Sequence, residues 1–208
     1  MNKTNLLRAG VCALLATVLS FPVSAQQAKG QPKNAAEEKS EASQGALGKQ
    51  DAKFLRDMAA ADLAEVETGK LAAGKASAAE VKKFAEHMVD EHGKGLSEGQ
   101  ALAKAKRLDV PNAPAKRHQA AMKKLESESG ARFDKAYMNL MLRDHQETLK
   151  LVQNASRNAK DEDIKAAAGK KVPVVQKHLQ MAREIAAALK SDATDPAKGE
   201  SSKSAPAK

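Results

Sequence analysis

The sequence predicts an all-α protein: an antiparallel four-helix bundle with an extra short helix between helices 2 and 3. Three observations carry this. Alanine, the strongest helix former, supplies 42 of the 208 residues. The aromatic residues that strands favour are scarce, with four Phe, one Tyr and no Trp. Apolar residues recur at steps of three and four over four segments of about 20 to 30 residues joined by short connections.

The chain opens with Asn2, Lys3 and Arg8, then an apolar run from Val11 to Val23 that ends in Val23-Ser24-Ala25. This order predicts a signal peptide over residues 1–25, cleaved after Ala25. The apolar run is shorter than the ~20 residues of a membrane span. No later stretch of 18 apolar residues follows, so the mature chain is expected to carry no transmembrane segment. Cys12 falls inside the signal and follows Val11 rather than a small residue, so lipid attachment is not expected. The mature chain is then free of cysteine, which excludes disulfide and thiol chemistry. The expected compartment is the periplasm, with secretion or outer-membrane association as the alternative. Residues 26–50 and 190–208 hold almost no large apolar side chain and are expected to be a disordered linker and tail. The remaining 51–189 is the size of one domain.

Within it, the first helix is predicted over Ala52–Ala73, with Phe54, Met58, Ala61, Glu65, Thr68 and Ala72 on one face. Ser77 and Glu80 have the spacing of a capping box ahead of a second helix over Ala78–Arg107. Val81, Ala85, Met88 and His92 share its inner stripe. Gly93, Gly95 and Gly99 each cost ~1 kcal/mol against alanine and mark a close helix approach or a soft spot. Asp109 to Pro114 is a connection, and a short helix over Ala115–Ser127 leads to the third, Ala131–Asn158. That helix aligns Phe133, Tyr137, Met141 and His145, then Leu149 and Val152. Asp161 caps the fourth, whose stripe is Ile164, Ala168, Val175, His178, Ala182, Ile185 and Leu189. Pro173 is expected to kink it, because proline removes a donor and clashes with the preceding turn.

A weak internal repeat relates Met88-Val89-Asp90-Glu91-His92 to Met141-Leu142-Arg143-Asp144-His145. His178 likewise has two apolar residues, Val174 and Val175, four and three positions back. Residues three and four apart share a helix face, so His92, His145 and His178 belong to apolar faces of three helices, and Glu65 to that of another. His87 and His118 have basic neighbours and read as boundary or surface residues. Buried polar groups must be paired, and two explanations stand. One is an internal hydrogen-bond network. The other is a metal site in which Glu65, His92, His145 and His178 hold one transition-metal ion (Fe, Zn, Cu or Mn), with Glu91 and Asp144 as outer or additional ligands.

The chain resembles the bacterial DUF4142 family. The resemblance covers about Asp51–Leu189 and is carried by Ala64-Glu65-Val66-Glu67, Gly69-Lys70-Leu71-Ala72, Phe84-Ala85, and Met88-Val89 leading to His92. Phe133-Asp134, Ala136-Tyr137-Met138, Asp144-His145 and Pro173 with His178-Leu179 complete it. It implies a ferritin-like four-helix fold and the label "predicted outer membrane protein", but no activity. Ferritin-type di-iron bundles use Glu-x-x-His twice. Here Phe84, Val89, Ala115, Leu142 and Val175 stand three before the five histidines, so a conventional di-iron centre is not expected.

Other chemistries lack their residues. There is no G-x-S-x-G elbow and no phosphate-cradling glycine loop, and no catalytic motif is expected. The net charge of +9 loses two positives with the signal peptide and one each to linker and tail. The domain keeps five, from 25 basic and 20 acidic residues that alternate along helices. Basic patches interleaved with stacking aromatics are absent, so nucleic acid is not an expected partner; weak contact with anionic envelope polymers is. The sequence thus supports an exported, non-enzymatic binding or stress-related module, with a metal-binding or metal-dependent protein as the alternative.

Overall fold

The computed structural model describes residues 47–191, and all of their regular structure is helical. The helices are α1 (Lys49–Lys75), α2 (Ala79–Ala105), α3 (Lys116–Glu126), α4 (Gly130–Asn158) and α5 (Glu162–Ser191). The expected signal peptide, the linker before residue 47 and the tail after residue 191 lie outside the described residues. Helix α1 begins two positions before the expected domain start, and α5 runs two past its expected end. Among the described residues no helix is long and apolar enough to cross a membrane. Helix α5 is continuous through Pro173.

Two helical hairpins dominate: α1 packs along α2, and α4 along α5. The hairpins meet where α1 contacts α4 and α2 contacts α5, while α3 rests on α1 and α4. Gly69 permits the close approach of α1 and α2, since a Cβ there would lie 2.9 Å from Val89 Cγ2 and 3.1 Å from the Ala85 carbonyl. Of the three glycines of α2, only Gly95 makes a close approach, its missing Cβ position being 2.8 Å from Lys171 Nζ and 3.3 Å from Asp62 Oδ2. The helix is unbroken to Ala105. There a Schellman motif closes it: Leu108 N donates to the Ala103 carbonyl (2.9 Å) and Arg107 N to the Lys104 carbonyl (3.0 Å), with Arg107 at φ 53°.

The two tight turns are held by buried carboxylates from the opposite hairpin. Asp134 of α4 accepts Ser77 N (3.0 Å), Ala78 N (2.8 Å) and the Ser77 hydroxyl. Asp51 of α1 accepts Lys160 N (2.9 Å) and Asp161 N (2.8 Å). Each member is separated from its counterpart by the same 83 residues, so the hairpins staple each other reciprocally. This replaces the expected Ser77–Glu80 capping box: α2 starts with no side-chain cap bond of its own, because Ser77 is committed to Asp134. Asp161 does cap α5, its Oδ1 accepting Asp163 N (3.1 Å) and Ile164 N (3.2 Å).

The core falls into two apolar clusters. One includes Val81, Phe84, Met88, Phe133, Tyr137, Met141 and Ala182; the other Phe54, Met58, Ala103, Val152, Ile164, Ala168 and Val175. Apart from the turn-holding Asp51 and Asp134, the buried carboxylates and histidines of the long helices fall between their contributions to the two clusters: Asp62 and Glu65 on α1, His92 on α2, His145 on α4 and His178 on α5. A polar layer therefore crosses the interior.

Candidate metal centre

Helical periodicity puts each histidine of this layer inward. Met88 and His92, Met141 and His145, and Val175 and His178 are about one turn apart on buried faces. His92, His145 and His178 are 8, 1 and 2 % exposed. Their ring centroids form a triangle with every side 5.4 Å. One ring nitrogen from each lies within 4.8 Å of the others. Three nitrogens around a tetrahedral ion at ~2.0–2.1 Å stand roughly 3.4 Å apart, so small ring rotations would close the set.

The hydrogen bonds decide which nitrogens are available. His92 Nδ1 donates to Asp62 Oδ1 at 2.8 Å, and His145 Nδ1 to the Met141 carbonyl at 3.0 Å. A carboxylate and a carbonyl only accept, so both rings carry a hydrogen on Nδ1, and neutral rings keep the lone pair on Nε2. Those two Nε2 atoms, and Nδ1 of His178, are buried without a hydrogen-bond partner. Metal-ligating imidazoles are oriented in this way, with the far N–H given to a carboxylate or carbonyl.

Electrostatics agree with neutral donors at two positions. Burial, reinforced by the charge of His92, pushes His145 down to about 3 and His178 to about 2. Burial also opposes charge on His92, but the Asp62 hydrogen bond and the charges of Glu65 and Asp62 hold it above the ordinary imidazole value. Lys171 Nζ stands 3.5 Å from the other Asp62 oxygen, so Asp62 bridges a lysine and His92.

The remaining expected ligands are placed differently. Glu65 is buried, and its Oε1 is 3.7 Å from His145 Nδ1, too far for a hydrogen bond and on the side facing away from the free Nε2. Its Oε2 has no partner, and burial raises the carboxyl to about 7 against the pull of His92. Glu91 is partly exposed and paired with Lys94 at 3.2 Å. Asp144 takes Arg143 Nε at 3.1 Å and is close enough to raise Glu65 further. None of these three carboxylates joins the converging nitrogens. Asp62 and the Met141 carbonyl supply the outer contacts instead. In the sequence Asp62 falls on the stripe Met58, Asp62, Glu65, Gly69, which adjoins the stripe Phe54, Met58, Ala61, Glu65. His118, expected near the surface, is 8 % exposed, because α3 folds it against α1 and α4.

Fold and site together define an all-helical protein with a buried three-histidine cluster. The chain belongs to the DUF4142 family, a domain of unknown function, whose match spans residues 36–185. No curated protein matches it. Among solved structures, a DUF305 protein from Streptomyces coelicolor is 19% identical with a TM-score of 0.60, covering 68% of this chain and 92% of its own. A DUF305 fragment from Deinococcus radiodurans is 11% identical with a TM-score of 0.62, covering 69% and 99%. CopM in its Cu(II)-bound form is 15% identical with a TM-score of 0.57, covering 66% and 96%. At these identities the likeness is one of fold.

Proposed function

We propose that the protein is an exported metal-binding protein that holds one transition-metal ion, copper first, on His92, His145 and His178. One observation carries this: His92, His145 and His178 are buried, each offers a ring nitrogen within 4.8 Å of the others, and each ring has a buried nitrogen without a hydrogen-bond partner. A purely structural network would pair its members, since each unmet buried group costs about 1–3 kcal/mol. An ion would satisfy all three nitrogens at once. Imidazole suits Cu, Zn, Fe and Ni, and Cu(II) heads the affinity order for such donors. A copper-bound neighbour of the same fold supports that choice.

In this reading the hairpins form a ferritin-like four-helix bundle with a mononuclear site in place of a di-iron centre. Glu65 lies beside the triad as a fourth ligand or a partner of His145, and Asp62 orients His92. The expected signal peptide is the ground for a periplasmic location in this reading, and the Streptomyces coelicolor neighbour, described as a "putative secreted protein", supports export. Binding, for buffering or delivery of the metal under stress, is the role, since the donors are enclosed and no catalytic motif accompanies them.

The test is metal content of the mature chain purified without a histidine tag. One equivalent of Cu(II) per chain, lost in His145→Ala and His178→Ala, is the expected result. No stoichiometric uptake and no thermal shift with Cu, Zn, Fe or Mn would overturn the reading.

A further inference from the structure

Two solvent-open clefts reach the polar layer from different sides, and their chemistry differs. The larger, about 550 Å³, lies between α1, α2 and α5 and has Asp62 on its wall. Its innermost carboxylate is already committed to His92 and to Lys171, and Lys94 and Lys170 also line it. The smaller, about 200 Å³, lies where α1, α3 and α4 meet and is lined by Asp57, Glu65, Arg117, His118, Asp144 and Glu147, among others. Four carboxylates and one guanidinium line it; Asp57 is paired with Lys53 and Asp144 with Arg143, while Glu65 and Glu147 have no such partner in the cleft, and the guanidinium's Nε is given to His118 Nε2 at 3.0 Å. Glu65 is the link inward. It lines this cleft, it is 5 % exposed, its Oε2 has no partner, and its Oε1 is 3.7 Å from His145.

We propose that the smaller cleft is the port through which a divalent cation reaches the three histidines, an inference that rests on the metal-binding reading above. Asp144 and Glu147 attract the hydrated ion. Glu65, which lines the cleft and stands 3.7 Å from His145, exchanges a hydration water for its unpartnered oxygen and passes the ion inward past His145. The small side chains of Ala61 and Ala64 also line the cleft beside Glu65. Along this path the ion moves from outer carboxylates to a buried carboxylate to imidazoles, with stepwise loss of water and no charge left uncompensated.

The test is the loading rate of aqueous Cu(II) into the mature, metal-free chain, followed by stopped-flow quenching of Tyr137, the single tyrosine in a chain with no tryptophan. Asp144→Asn combined with Glu147→Gln is expected to slow loading about tenfold at low ionic strength, and less in salt, as electrostatic steering requires. Ala61→Leu narrows the passage without changing charge and is expected to slow loading and release together, leaving one Cu(II) bound. Glu91→Gln combined with Glu98→Gln, on the other cleft, is expected to leave the rate within twofold. Wild-type rates in both port variants would overturn the port while leaving the metal site standing. Equal slowing by the Glu91 and Glu98 variant would overturn it too, as a general effect of charge. If the wild-type chain takes up no Cu(II), both readings fall.

Discussion

Asp62 on α1 holds His92 on α2 across the first hairpin: its Oδ1 accepts from His92 Nδ1 at 2.8 Å while Lys171 of α5 stands 3.5 Å from its other oxygen. This contact fixes the imidazole's orientation and tautomer and leaves Nε2 buried without a hydrogen-bond partner. Asp62→Asn can no longer present a charged acceptor there. Outer-shell losses of this kind cost about 10–100-fold in metal affinity. Calorimetric titration with Cu(II) is therefore expected to show that loss at unchanged stoichiometry; unaltered affinity would detach Asp62 from the site.

Stability and metal binding should trade against each other within the polar layer. His178 carries a buried nitrogen with no partner, a burden of about 1–3 kcal/mol in the metal-free chain. His178→Leu is expected to stabilise the metal-free protein by about 1 kcal/mol and to abolish the stabilisation that Cu(II) gives the wild type. Urea unfolding with and without Cu(II) reads both effects, and a destabilised metal-free variant would count against the assignment.

The pH dependence of the metal-free protein follows from opposed shifts. At pH 5.5 the unfolded chain protonates the imidazoles at 92, 145 and 178, whose ordinary value is 6.5, while its Glu65, at 4.5, is ionised. The folded chain protonates His92 and Glu65 but neither His145, near 3, nor His178, near 2. The unfolded state thus binds about one proton more, and stability rises with pH by about 1.4 kcal/mol per unit. Beyond the ordinary imidazole range the sign reverses. The folded state now holds the extra protons, on His92 and on Glu65, and loses them as pH climbs through about 7 and beyond. Together with His118, whose pKa burial lowers and which adds to the rise, these groups give a stability that climbs from pH 5 and turns over once the unfolded chain's imidazoles have lost their protons. Urea midpoints from pH 5 to 8 should trace it; a monotonic rise would contradict these environments.

The reciprocal staples predict matched costs. Asp134→Ala strands two backbone N–H groups and the Ser77 hydroxyl, and Asp51→Ala strands two N–H groups. Each substitution is expected to cost about 2–4 kcal/mol, since hydrogen bonds to charged acceptors are worth about 1.5–3. Chemical denaturation checks this. A loss below 1 kcal/mol at either position would show that the turns stand without the opposite hairpin.

Two helical glycines should respond with opposite sign. A Cβ at Gly93 meets nothing within 4 Å, whereas one at Gly69 meets Val89 and the Ala85 carbonyl. Gly93→Ala is expected to stabilise by about 0.5–1 kcal/mol through helix propensity. Gly69→Ala must part α1 from α2 and is expected to destabilise by about 1–3 kcal/mol. Thermal unfolding of the pair decides both.

The inward faces of the long helices were legible because a helix repeats every 3.6 residues whatever surrounds it. Val81, Met88 and His92, or Ile164, Val175 and His178, declare one side of a cylinder by spacing alone, and all six are buried. Glu65 was legible on the same ground. Asp62 is not singled out by spacing, because two overlapping stripes of α1 are buried, one towards α2 and one towards α4. The Ser77–Glu80 pattern misled for a related reason: a local capping signal competes with any carboxylate that the fold delivers, and Asp134, 57 residues away, wins Ser77.

By itself, then, the sequence determined that this chain is helical and which side of each helix meets the core, because those properties depend on neighbours three and four positions away. Only the tertiary structure decided that three histidines meet at one height while Glu65 stands to the side. It alone decided that Asp62, not Glu91 or Asp144, holds His92, and that the turns are stapled from the opposite hairpin. Those outcomes depend on how far each helix slides along its neighbours, which is set by the fit of whole faces, such as Gly69 against Ala85 and Val89, and not by any local spacing.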